Sequence, residues 1–112
     1  MKSGIELIVN ERKRQIEEEG WSQEHDAQYT HNELIWAAMC YTQPESFRAY
    51  ERVCNSKTPN NIKIPPAIWP WDEKWWKPTP DNRIKELVKA GALIAAEIDR
   101  IQSLDIENDS KL

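Results

Sequence analysis

The chain has 112 residues, 15 basic against 19 acidic for a net charge of −4, and a mean hydropathy of −0.80. That length suits one domain whose core is thin in a single copy, so a homo-oligomer is expected. The acidic balance argues against broad nucleic-acid or anionic-membrane binding; no secretion leader opens the chain, and no apolar run approaches the ~20 residues of a membrane span.

Ser3-Gly4-Ile5-Glu6 is a capping box, and Gly20 is a natural stop, so the first helix is expected over residues 4–19. Ile5, Ile8, Val9 and Ile16 share a face with Arg12 at the seam, while Glu11, Arg14, Glu17 and Glu18 read as wet. Residues 21–29 read as a loop. Thr30-His31-Asn32-Glu33 repeats the capping pattern ahead of Leu34-Ile35-Trp36-Ala37-Ala38-Met39-Cys40-Tyr41, the expected buried helix, which Pro44 ends. A short helix over 45–54 would turn Phe47, Tyr50 and Val53 inward and Arg48, Glu51 and Arg52 outward.

Residues 55–80 hold Asn, Pro and Trp with no period and read as a long ordered loop. Four of the six tryptophans stand there: Trp69, Trp71, Trp75 and Trp76. Asp81 reads as the cap of the last helix, whose stripe is Ile84, Leu87, Val88, Gly91, Ile94, Ala95, Ile98 and Ile101. Gly91 and Ala95, one turn apart, admit a close helix neighbour. The expected architecture is all-α: three main helices and one short helix in a single domain over 1–104, with a long Trp/Pro-rich loop and a frayed polar tail over 105–112. Cys40 and Cys54 have no metal-type spacing and fit a reduced, cytoplasmic setting.

Several phrases occur together: Glu11-Arg12-x-Arg14-Gln15, Glu19-Gly20-Trp21-Ser22-x-Glu24-His25-Asp26, Glu33-Leu34, Trp69-Pro70-Trp71-Asp72, Trp75-Trp76-Lys77-Pro78, and Leu87-Val88-Lys89-Ala90-Gly91-Ala92-Leu93-Ile94-x-Ala96-Glu97-Ile98. Over most of 5–102 they resemble a family of small phage, prophage and bacterial proteins. Some members are described as the N-terminal domain of dATP/dGTP diphosphohydrolases, loosely associated with the MazG-like pyrophosphohydrolases. The resemblance implies a nucleotide-type ligand and a host-cytosol location. MazG-like enzymes hold Mg²⁺ with E-x-x-E and E-x-x-D pairs, whose oxygens share one helix face. This chain has no E-x-x-E, and reads Glu86-Leu87-Val88-Lys89 where the second pair would align.

His25, Asp26, His31 and Glu33 are the densest group of metal-capable side chains and are candidate ligands for one Mg²⁺ or Mn²⁺. The same residues also read as cap and turn formers, or as histidines acting without a metal. The Trp loop offers faces for a base, with stacking worth ~1–3 kcal/mol. It equally offers core that a chain with one Phe otherwise lacks. Lys74, Lys77 and Arg83 are candidate phosphate contacts beside a helix start. The Arg48–Arg52 pair, one turn apart, reads either as a clamp or as solvated charge.

The candidate ligand-binding set is therefore Trp21, His25, Asp26, His31, Glu33, Trp71, Trp75, Trp76, Lys77 and Arg83, with no catalytic residue assigned. No nucleophile arrangement, Gly-rich phosphate loop or zinc spacing is present. Three functions stand as expectations: a binder of a phosphorylated nucleotide or nucleotide-derived signal; a metal-dependent nucleoside-triphosphate diphosphohydrolase with other ligands than MazG; and a non-catalytic interaction module, such as a phage counter-defence protein.

Overall fold

The computed structural model describes residues 1–110 and is all-α. α1 (Gly4–Glu19), α2 (Gln23–Asp26), α3 (Glu33–Thr42), α4 (Glu45–Cys54) and α5 (Arg83–Ser110) are joined by a long segment containing one 3₁₀ turn, Glu73–Trp75. α1, α2 and α3 all pack against α5. The molecule measures 51 × 36 × 20 Å. Its thin dimension is about two helix diameters, so each helix buries only one side.

The ends of α1 follow the sequence. Ser3 Oγ accepts from the Glu6 N–H at 3.2 Å, and Gly20 takes φ 72°, a left-handed stop that a Cβ would strain. Two other starts shift. α3 begins at Glu33 behind a left-handed Asn32, not behind a Thr30 cap; neither half of the expected box forms, since the Thr30 N–H donates to Gln28 O and Glu33 accepts from the His31 N–H instead. For α5 the capping oxygen is Asn82 Oδ1, which accepts from the Lys85 N–H at 3.2 Å, and not Asp81. A one-turn α2 stands inside the expected loop at 21–29. α5 runs on through Ser110, into the tail expected from residue 105, and residues 111–112 lie outside the described residues.

The core joins Leu34, Ala37, Ala38, Cys40 and Tyr41 of α3 to Ala90, Leu93 and Ala96 of α5 and to Trp76 of the loop. Alanines on the facing sides bring the two helices close, and the aromatic loop supplies the missing volume. Trp76 is anchored by its Nε1 on Ile62 O at 3.0 Å, and the Lys77 N–H donates to the Tyr41 hydroxyl at 3.2 Å.

The helical periods are right, but three faces point the other way. On α4, Arg48 and Arg52 are buried while Phe47, Tyr50 and Val53 are exposed. On α1, Arg12 and Gln15 are buried while Ile5, Val9 and Ile16 are exposed. On α5, Glu86 and Glu97 go in while Ile84, Leu87, Ile94, Ile98 and Ile101 stay out.

The cause is a set of internal ionic networks. Arg48 and Glu86, each 1% exposed at the side chain, meet at 2.8 Å. Arg48 also donates to the Cys40 and Tyr41 carbonyls, and Arg83 to those of Tyr41, Thr42 and Gln43. Two guanidinium groups thus close the C-terminus of α3, where the free carbonyls and the helix dipole favour positive charge. Arg52 is spent on the Pro59 carbonyl and on Glu45. Neither Arg48 nor Arg52 is a surface phosphate clamp.

Candidate functional site

One large recess, of about 910 Å³, opens where the end of α1, α2, the start of α3, the Trp loop and the middle of α5 meet. Its walls are aromatic and touch in a continuous belt. Trp21 stacks parallel to His25 with centroids 6.3 Å apart; His25 meets Tyr29 edge-on at 5.4 Å; Tyr29 meets Trp71 at 5.2 Å; Trp71 meets Trp69 edge-on at 5.4 Å. Trp69 then joins Tyr41 and Trp76 in the core. Most of these rings are held from beneath, whereas Trp75 at the rim is 58% exposed under the Lys74 ammonium.

Of the ten residues expected from sequence, Trp21, His25, Asp26, Trp71, Trp75 and Lys77 line the recess. Trp76 lies below it as core. Arg83 is consumed by the carbonyls that end α3 and by Glu86. His31 is exposed against Thr30, and Glu33 is held by the His31 backbone, so neither reaches the recess. The four-residue metal set does not assemble: among the described residues, no three His, Cys, Asp or Glu side chains converge to hold an ion. Asp26, 2% exposed, points instead to the Arg12 guanidinium at 3.0 Å.

That ion pair orders the local chemistry. Arg12 also donates to Trp21 O at 3.2 Å, tying α1 to the turn before α2. The second Asp26 oxygen lies 3.0 Å from His25 Nδ1. A carboxylate only accepts, so Nδ1 carries a proton in this contact, and in a neutral ring Nε2 is then the acceptor. Burial, and then the charges of Asp26 and Glu33, raise the Tyr29 phenol above its ordinary value.

The sequence reading missed Gln15 and Lys89. Gln15 is 1% exposed, lines the recess, and has no partner for Oε1 or for Nε2 among the described residues. Trp71 Nε1, on the same wall, is also unpartnered. Lys89 reaches in from α5 with its Nζ 4.9 Å from the Tyr41 ring centroid, and burial lowers its pKa below the ordinary lysine value. Arg14 at the edge is held firmly charged by Glu11 at 2.6 Å and Glu19 at 2.7 Å. The signal for Gln15 was its spacing: it stands three residues after Arg12, on one α1 face. Lys89 was visible only as a departure from an acidic pattern.

The recess thus combines flat apolar walls, a closed-over, unsatisfied amide in its wall, the cations Lys77 and Lys89, an Arg14 already paired with Glu11 and Glu19, and the carboxyl-bearing Glu18, Glu19, Asp26 and Asp72. No known protein family, curated protein or solved structure matches the chain.

Proposed function

We propose that the recess binds a phosphorylated nucleotide or nucleotide-derived signal. The observation that carries this reading is the Gln15 carboxamide, buried with both polar atoms unpartnered against an aromatic wall. Leaving such a group unsatisfied costs ~1–3 kcal/mol, a cost that a ligand edge relieves once a side-chain shift opens the closed-over amide to the recess. A base edge presents a donor beside an acceptor, and a carboxamide answers both at once. The indole and phenol rings supply stacking faces, while Lys77 and Lys89 suit phosphate. A cytosolic setting belongs to the same reading and is supported by two free thiols, as does kinship with the phage and prophage family.

A thermal-shift panel of nucleosides, nucleoside phosphates and inorganic triphosphate tests it. A nucleoside phosphate at a hundredfold excess over Kd is expected to add about 2.7 kcal/mol, and neither the nucleoside nor triphosphate alone will match it. Equal shifts with inorganic triphosphate alone would remove the base from the account.

A hydrolytic reading has one specific support, the Asp26–His25 pair facing the recess. A histidine oriented through Nδ1 leaves Nε2 to take a proton from an attacking water. Pyrophosphate release from nucleoside triphosphate that vanishes in His25→Ala, with binding kept, supports turnover; binding without release assigns the protein to binding alone.

A further inference from the structure

We infer that Lys89 is a nucleophilic amine that takes an aldehyde or ketone in the recess as an imine. The inference rests on the surroundings of the amine and stands whether or not a nucleotide also binds there. Among the described residues, Lys89 is the one lysine that is not exposed. It lines the recess from α5, with its Nζ 4.9 Å from the centroid of the Tyr41 ring. The acids nearby are engaged elsewhere. Asp26 pairs with Arg12 at 3.0 Å, Glu19 and Glu11 pair with Arg14 at 2.7 and 2.6 Å, and Asp72 accepts from the Lys74 N–H at 2.9 Å. Glu18, 68% exposed at the side chain, lies 3.9 Å from the same Arg14. Among the described residues, no carboxylate pairs with Lys89.

Tyr41 gives the ammonium a ring face but no charge, because burial pushes its phenol up to about 12. A ring face replaces less of the hydration lost by an ammonium than a carboxylate does. Burial therefore favours the neutral amine and lowers the Lys89 pKa; Lys85 on α5 and Arg14 on α1 act in the same direction, while Glu11 and Glu19 on α1 oppose it. Only the neutral amine has a lone pair to share, so a half-buried, unpaired lysine facing a cavity is set up for attack on a carbonyl.

The step balances without a co-reactant. The Nζ lone pair attacks the carbonyl carbon to give a carbinolamine. The carbon–oxygen bond then breaks, a C=N bond forms, and the oxygen leaves as water with both protons of the amine. The recess also narrows the choice of carbonyl compound. Trp69, Trp71 and Tyr41 offer flat walls. Lys77, whose backbone N–H donates to the Tyr41 hydroxyl at 3.2 Å, stands at the same tyrosine and supplies a second, exposed cation. A flat aldehyde or ketone bearing an anionic group suits both features.

The test uses pyridoxal 5′-phosphate and pyridoxal as probes on the whole chain at pH 7.5, with borohydride reduction to fix the imine and peptide mass spectrometry to locate it. At limiting probe, Lys89 is expected to take at least about tenfold more label than any other lysine, with either aldehyde, the ratio that one unit of pKa confers. Its labelling rate should level off below pH 10.5, where those of the exposed lysines still rise. The preference should vanish in denaturing urea, and Lys89→Arg, which keeps the charge, should abolish the imine absorbance of the folded chain. Even labelling across the lysines, or heavier labelling of Lys74 or Lys77, overturns the proposal. So does a preference that survives in urea, or one seen with pyridoxal 5′-phosphate and not with pyridoxal, since phosphate docking and not the amine would then select the site.

Discussion

At the scale of single residues, Gln15 carries the most consequence because its effects on stability and on binding have opposite signs. Gln15→Leu removes two unsatisfied buried atoms at similar volume, so chemical denaturation should show stability unchanged or raised by ~1–2 kcal/mol. The same change should weaken nucleotide binding about tenfold or more, since a bidentate contact to a base edge is worth ~1–3 kcal/mol. A glutamine whose amide was hydrogen-bonded within the protein would lose stability instead.

Lys89 gives a pH-dependent counterpart. Its folded pKa is lowered by burial, so the unfolded chain binds more protons between that lowered value and 10.5. The charged lysine therefore costs stability at neutral pH, and the cost fades as pH rises through that window. Lys89→Met should raise Tm at pH 7, with the difference from wild type shrinking toward pH 10.5, while phosphate binding falls. Burial likewise pushes the Cys40 thiol up to about 12, so a thiol reagent at pH 8 should label exposed Cys54 and spare Cys40 until the chain unfolds. None of these environments was legible beforehand. A glutamine, a lysine and a cysteine on a helix look alike until other segments cover them.

At the scale of elements, the bounds of α1 and α4 were legible and the facing of their sides was not. Residues 4–19 and 45–54 form the helices expected, because Ser3, Gly20 and Pro44 act locally. Which side of α4 turns inward is decided by Glu86, distant in sequence, and by the open carbonyls that end α3. Periodicity reports that a helix has two faces; it does not report which one meets the protein.

Arg48→Met should cost ~3–5 kcal/mol by urea denaturation, because it leaves Glu86 buried with fewer partners and the α3 carbonyls uncapped. Adding Glu86→Leu to that variant should recover part of the loss. The loop shows the same dependence on distant contacts. Trp76→Ala should cost ~3–5 kcal/mol, whereas Trp75→Ala, at the exposed rim, should stay within ~0.5 kcal/mol. Four tryptophans in one stretch were read either as core or as a stacking face. Trp76 is core, and Trp69 and Trp71 pack on it while lining the recess.

Across the whole molecule, a slab about two helices thick keeps a small apolar core and several ionic networks between its layers and leaves apolar residues of α1, α4 and α5 exposed. The inner polar groups brace a recess assembled from five separated segments, which no local pattern could announce, although Trp21, His25, Asp26, Trp71, Trp75 and Lys77, singled out by residue type, all line it.

The central claim is that the Gln15 amide meets the ligand. The most direct measurement is a ¹H–¹⁵N spectrum of the labelled protein during nucleotide titration, with the Gln15 side-chain amide and the Trp71 indole N–H assigned by their loss in Gln15→Leu and Trp71→Phe. The account predicts that both move saturably with a nucleoside phosphate and follow a single Kd. Saturable shifts elsewhere in the spectrum with those two signals unmoved, or no saturable shift with any nucleoside phosphate, would contradict it.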